Sequence, residues 1–184
     1  MSSPSADVSC RIAWADDAPA LARLQQRTRA HDLAALLPAE ALQADDAAAE
    51  AAWRQVLNRP ADARIRVLVA LERNRVVGFA ITSPATDPDT DPVTDAELME
   101  LTVDPGERGL GHGSRLLQAA VDTMAADRFG RAVLWAIATD EALRGFLTSA
   151  GWAPDTAHRE LDLDGTGQTT IKQVRLHTAI DEPA

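Results

Sequence analysis

The chain contains no tyrosine. A phenol is therefore excluded as a proton donor anywhere in its chemistry. Cysteine is nearly absent as well. Cys10 stands alone, so no intramolecular disulfide can form, and a reducing, cytoplasmic setting is the expectation. No apolar run approaches the roughly 20 residues that a membrane-spanning helix needs, so no membrane partner is expected. Nor is there a dense Lys/Arg run: 18 basic against 28 acidic residues leave a formal net charge of −10. Nucleic acid is repelled by a chain of that sign unless a strong local basic patch exists, so it is not an expected partner. The acidity suits solubility and is compatible with a cationic substrate. Residues 1–7 lack a basic stretch followed by an apolar one, so no signal peptide is expected.

The 184 residues are 46% apolar and 25% charged, enough for one domain with a sizeable core. Residues 1–9 and 179–184 read as loose tails around a single domain at 10–178. Alternation predicts strands at Cys10–Trp14, Arg64–Leu71, Val76–Thr82, Ala96–Val103, Arg131–Ala138, His158–Leu163 and Thr170–Thr178. Asp16 or Asp17 can cap a helix that has Pro19 in its first turn and Leu21, Leu24 and Thr28 on one face. A second, Ala-rich helix is expected from Pro38 to about Leu57, with Leu42, Ala49, Trp53, Val56 and Leu57 buried. Further helices are expected at about Gly113–Arg128 and after Asp140, the latter ended by Gly151. Residues 83–95, rich in Pro, Asp and Thr, read as an exposed, mobile loop. The order β-α-α-β-β-β-α-β-α-β-β predicts an α/β fold: a mixed, mostly antiparallel twisted sheet of about seven strands with helices on both faces.

The segment from Glu97 to Leu117 carries the most chemistry. A strand ends at Val103, Asp104-Pro105-Gly106 turns the chain, and Arg108, Gly109, Gly111 and Gly113 lead into a helix. Such a join presents free backbone N–H groups and a positive helix end to an anion. The diphosphate of an acyl carrier such as coenzyme A suits it. Glycines permit close approach and positive φ, and Arg108 can add a charge-assisted bond. The spacing is not G-x-G-x-x-G, and an antiparallel run precedes it, so a dinucleotide fold is disfavoured. His31, His112, His158 and His177 show no metal-ligand spacing, so no metal is expected.

With this order of elements, Arg108-Gly109-Leu110-Gly111-His112-Gly113 resembles the acyl-CoA signature of the GNAT N-acetyltransferase superfamily. Val103-Asp104-Pro105 and the stretch Ala142–Trp152 are similar to that family too, over about residues 10–178 in all. The resemblance implies an acetyl-CoA-dependent N-acetyltransferase acting on a primary amine of a small molecule or peptide. Acetyl-CoA is then the acyl-donor cosubstrate, with a longer donor such as succinyl-CoA as a variant. It implies CoA contacts from Leu101, Thr102, Val103, Arg108, Gly109, Leu110, Gly111, His112, Gly113, Ser114, Asp140 and Phe146. It places pantetheine along the Val103 strand, an oxyanion donor among the backbone N–H groups near Val103, and a homodimer among the partners. A carboxylate, usually through water, can take the amine proton; Glu97 ranks slightly ahead of Glu100. His112, at a position where the family tolerates many residue types, is expected to point outward from the loop rather than act as the base. Glu97 occupies the general-base position of the histone-acetylating branch. Glu100 has the opposite strand parity unless a bulge, which the resemblance implies, re-aims it. Leu147 stands where the family often has a leaving-group tyrosine. That departure keeps open a non-catalytic acyl-CoA-binding or regulatory module on the same fold. Trp53 lines the acceptor pocket or packs in the core, and Trp152 reads as core.

Overall fold

The computed structural model describes residues 8–163 and 165–180. Seven strands form one sheet: β1 (Val8–Ile12), β2 (Arg66–Glu72), β3 (Arg75–Pro84), β4 (Asp95–Val103), β5 (Arg131–Ile137), β6 (Ala153–Asp162) and β7 (Thr170–Ala179). Their spatial order is β1-β2-β3-β4-β5-β7-β6. Every pairing is antiparallel except β4 with β5. Among the described residues five α-helices complete it: α1 (Ala18–Asp32), α2 (Ala39–Leu42), α3 (Asp46–Asn58), α4 (His112–Ala126) and α5 (Glu141–Ser149). The strands run slightly past the expected domain limits, and Ile180 is buried beyond β7, its N–H bonded to the Gly130 carbonyl at 2.9 Å. The rest of the two expected tails, residues 1–7 and 181–184, lies outside the described residues.

The two sheet faces carry separate cores. On one face Leu116, Leu117, Ala120 and Met124 of α4 pack on Leu68, Val77, Leu98 and Leu134, and Leu147 and Trp152 join them. On the other, Leu21 and Leu24 of α1 and Trp53 of α3 cover Val67, Val69 and Phe79. Trp53 meets Phe79 edge to face, ring centroids 5.2 Å apart. Gly78 lets α4 settle on β3: a Cβ there would lie 2.8 Å from the Thr102 carbonyl oxygen and 2.9 Å from Leu116 Cδ1.

Two expectations are corrected. The helix expected from Pro38 to Leu57 is two helices, broken at Gln43–Asp45. The Asp45 carboxylate accepts the amides of Ala47 and Ala48 and so starts α3 afresh. The new phase turns Val56 outward and leaves Trp53 as the buried residue of α3. The loop between β3 and β4 is also not free. Arg175 of β7, 3% exposed, bonds Asp87, Asp89 and Asp155, and Trp135 Nε1 donates to Asp87 at 2.9 Å. These bonds tie the loop to β5, β6 and β7. Arg175 holds the Asp89 carboxyl down at about 2.

The register of β4 positions the site. Glu100 lies opposite Ile81, but Leu98 lies opposite Thr82, so Met99 is an extra residue, 56% exposed. Glu97 lies opposite Ser83. Ile81 and Ser83 are two apart on β3 and share a face, so the bulge brings Glu97 and Glu100 to that same face. It is the face covered by α1 and α3, where Ile81 packs.

Candidate active site

β4 and β5 pair only over Asp95–Glu97 and Arg131–Val133. Beyond Glu97 the β5-facing edge of β4 has no strand partner among the described residues, and a cleft of about 520 Å³ opens there. An extended ligand can satisfy such an edge as an added strand. Leu101, Val103, Arg108, Gly109, Gly111, Gly113, Ser114, Asp140 and Phe146 line the cleft, together with Asp32, Ala142 and Leu143.

The sequence makes the floor of the cleft from the α4 N-terminus. Gly111 caps α4 in the left-handed region, φ 85°, and Gly109 has φ 78°. The first helical bond runs from the Arg115 amide to the Gly111 carbonyl at 3.2 Å. The amides of His112, Gly113 and Ser114 therefore precede the helical ladder and face no helical acceptor. With the helix dipole behind them they suit an anion. A side chain at Gly111 would meet the Arg115 guanidinium at 3.2 Å as well as the strained φ. The residues thus fit a diphosphate group.

Arg108 is already engaged. Its Nη1 and Nη2 donate to the two carboxylate oxygens of Asp32 at 3.0 and 2.8 Å, and its Nε donates to the Val103 carbonyl at 3.2 Å. Burial pushes the Asp32 carboxyl up, but bonds from Arg108 and His31 outweigh it and hold it below its ordinary range. A second pair joins the same two elements: Arg27 of α1 donates to Asp104 at 2.6 Å.

The expected site residues divide. Thr102 turns to the α1 face, where its hydroxyl donates to Glu100 Oε1 at 3.1 Å. Leu110 is exposed outside the cleft. His112 does not point outward: it is 2% exposed, its Nε2 3.6 Å from Glu72 Oε2 and its Nδ1 without a partner. The apolar side of α4 draws the ring inward, leaving only its main chain at the anion cradle. Glu72, Glu107 and His112 bring three potential metal-ligand atoms within 4.8 Å, but Arg75 bonds Glu107 and supplies the countercharge. Asp140 both lines the cleft and caps α5 through the Leu143 amide at 2.9 Å. Asp32, Ala142 and Leu143 were not among the expected residues. Asp32 sits 76 positions from Arg108, and only the tertiary fold joins them.

Both glutamates have raised carboxyl pKa values. Burial is the larger cause at Glu97, assisted by Asp87 and opposed by Arg159 and Arg175. Burial also raises Glu100, against hydrogen bonds from Thr102 and Gln25. Gln25 Nε2 donates to Glu100 Oε2 at 3.3 Å, and Trp53 Nε1 donates to Gln25 Oε1 at 3.1 Å. Of the two carboxylates, Glu100 is the one beyond the last β4–β5 pair, beside the cleft-lining Leu101.

Residues 27–152 match the signature described as the acetyltransferase (GNAT) family. No curated protein matches the chain. Among solved structures, yncA of Salmonella typhimurium with its cofactor acetyl-CoA superposes at a TM-score of 0.72, 20% identity, covering 97% of each chain. A ribosomal-protein-alanine N-acetyltransferase of Brucella melitensis matches at 0.72 and 22% identity, over 93% of this chain and 99% of its own. The paia N-acetyltransferase of Thermoplasma acidophilum in complex with coenzyme A matches at 0.68 and 15%, over 94% and 98%. At these identities the likeness is one of fold. The family signature, spanning more than half the sequence and ending on the buried Trp152 behind α5, decides the matter: the chain belongs to the GNAT acetyltransferase family.

Proposed function

We propose that the protein is an acetyl-CoA-dependent N-acetyltransferase that moves acetyl to a primary amine of a small molecule or peptide by direct attack. The observation that carries this reading is the unpaired edge of β4, flanked by an amide cradle on one side and two half-buried carboxylates on the other. The amides of Gly111–Ser114 and the α4 dipole hold the diphosphate. The main chain of Leu101, Thr102 and Val103 holds the pantetheine arm, and Phe146 closes the apolar wall.

An attacking amine must be neutral. Deprotonating a lysine-like amine at pH 7 costs about 4–5 kcal/mol, an α-amine about 1 kcal/mol. Glu100 takes that proton, directly or through a water, with Glu97 as the second acceptor. Burial raises both carboxyls toward neutrality, which strengthens them as bases. With no tyrosine in the chain, the leaving thiolate takes its proton from water. A thiol pKa of about 8.5 makes this feasible.

The test is release of free thiol from acetyl-CoA against a panel of small amines and amine-ended peptides. Turnover with at least one amine, depressed in Glu100→Gln at unchanged acetyl-CoA affinity, is the expected result. One observation favours a second reading, a non-catalytic acyl-CoA-binding module: Leu147 is fully buried in the core and offers the cleft nothing. Tight acetyl-CoA binding with no turnover on any amine would establish it.

A further inference from the structure

We propose that Gln25 is a positioning residue for Glu100, and that the indole of Trp53 holds the Gln25 amide the right way round. The proposal rests on Glu100 serving as the proton acceptor. The three side chains come from three elements: Trp53 from α3, Gln25 from α1 and Glu100 from the bulged half of β4.

The polarity of the chain follows from its chemistry. An indole N–H can only donate. Trp53 Nε1 lies 3.1 Å from one end of the Gln25 amide, so that end must be the carbonyl oxygen. The NH₂ end then faces Glu100 Oε2, at 3.3 Å, and can only donate to it. On the other oxygen of Glu100 the Thr102 hydroxyl donates at 3.1 Å. Each carboxylate oxygen thus has one fixed donor and keeps further lone-pair directions for an incoming proton. Trp53 is locked in turn, buried and edge-on to Phe79.

Among the described residues, no charged side chain is hydrogen-bonded to Glu100. The influences on its carboxyl are burial, then the bonds from Thr102 and Gln25. On α1, Arg27 is engaged with Asp104; on α3, Arg54 pairs with Glu50. On β4 itself Glu97 answers to Asp87, Arg159 and Arg175. On β3 the facing residues Phe79 and Ile81 are apolar. The Gln25 donor stabilises the carboxylate and opposes the rise that burial imposes.

The experiment is an NMR titration of the Glu100 carboxyl in the full-length protein, the signal assigned by its loss in Glu100→Gln. Trp53→Phe keeps the ring against Phe79 and deletes the N–H, freeing the Gln25 amide to present its oxygen to Glu100. Gln25→Met keeps length and deletes the donor. Both are expected to raise the Glu100 midpoint by about one pH unit, a tenfold change in proton affinity. Glu97 stays within a few tenths of a unit. An unmoved midpoint in both variants overturns the proposal. So does a shift in Trp53→Phe with none in Gln25→Met, which would mean that the indole acts by another route. The proton-accepting role fails separately, whatever the titration shows, if no amine of the panel releases thiol or if Glu100→Gln releases it at the wild-type rate.

Discussion

Asp32→Asn should tighten coenzyme A binding, because Asp32 occupies the guanidinium that a diphosphate would use. The pair is bidentate at 2.8 and 3.0 Å, with side chains 39% and 42% exposed. Opening an exposed pair of this kind costs about 0.5–1 kcal/mol. The freed carboxylate then faces the diphosphate across the mouth of the cleft. At a separation of about 6 Å and an effective dielectric of about 40, each unit of like charge adds about 1.4 kcal/mol of repulsion before salt screening. Asn removes both costs while keeping one hydrogen-bonding oxygen. The sum, cut by screening, is about 1.5 kcal/mol, or roughly tenfold in Kd. Calorimetric titration with coenzyme A at low ionic strength reads it directly, and the advantage should shrink as salt is raised. Binding unchanged or weaker than wild type would refute the reasoning. It would mean that Arg108 never turns to the ligand, or that Asp32 itself bonds it.

The other expectations concern the cradle, the base and the loop. Gly111→Glu places a carboxylate and a strained φ at the α4 N-terminus and should abolish coenzyme A binding; undiminished affinity by calorimetry would remove the diphosphate reading. The raised Glu100 pKa means that the folded protein holds this proton more tightly than the unfolded chain. The charged carboxylate therefore costs stability as pH rises from the ordinary glutamate value through the folded one. Melting curves should show Glu100→Gln gaining on wild type as pH rises above the ordinary glutamate value of about 4.3, whereas a constant gap would contradict the shift. The acid limb of kcat/KM should lie above an ordinary glutamate value for the same reason. Arg175→Met leaves Asp87, Asp89 and Asp155 facing one another and should destabilise the fold by about 3 kcal/mol. A change of melting temperature within error would show the cluster to be solvated.

The order of strands and helices was legible because each element carries its own pattern: short apolar runs buried on both faces in β2 and β3, alternation over Val174–His177 in β7, and the 3.6-residue stripe of Leu117, Ala120 and Met124 in α4. The glycine segment was legible because backbone conformation is written locally: Gly109 and Gly111 both adopt the positive φ that glycine tolerates. Where side chains meet across long sequence separations, the sequence was mute. The Asp32–Arg108 pair, the Trp53–Gln25–Glu100 chain and the hold of Arg175 on the β3–β4 loop each join residues far apart. Alanine hid the break between α2 and α3, since a run of Ala gives no phase to lose. His112 misled because its outward placement was carried over from the family resemblance, while its place on the inward side of α4 decided its burial.

One rod reaches both halves of the cleft. Near its middle α1 holds the Glu100 carboxylate through Gln25, and at its last residue it holds the Arg108 guanidinium beside the α4 N-terminus through Asp32. Were Arg108 drawn to a bound nucleotide, the tip of that rod would keep its other tie to the same turn, Arg27 on Asp104. The two ends of the cleft thus share one support, and a substitution that tilts α1 would disturb both at once.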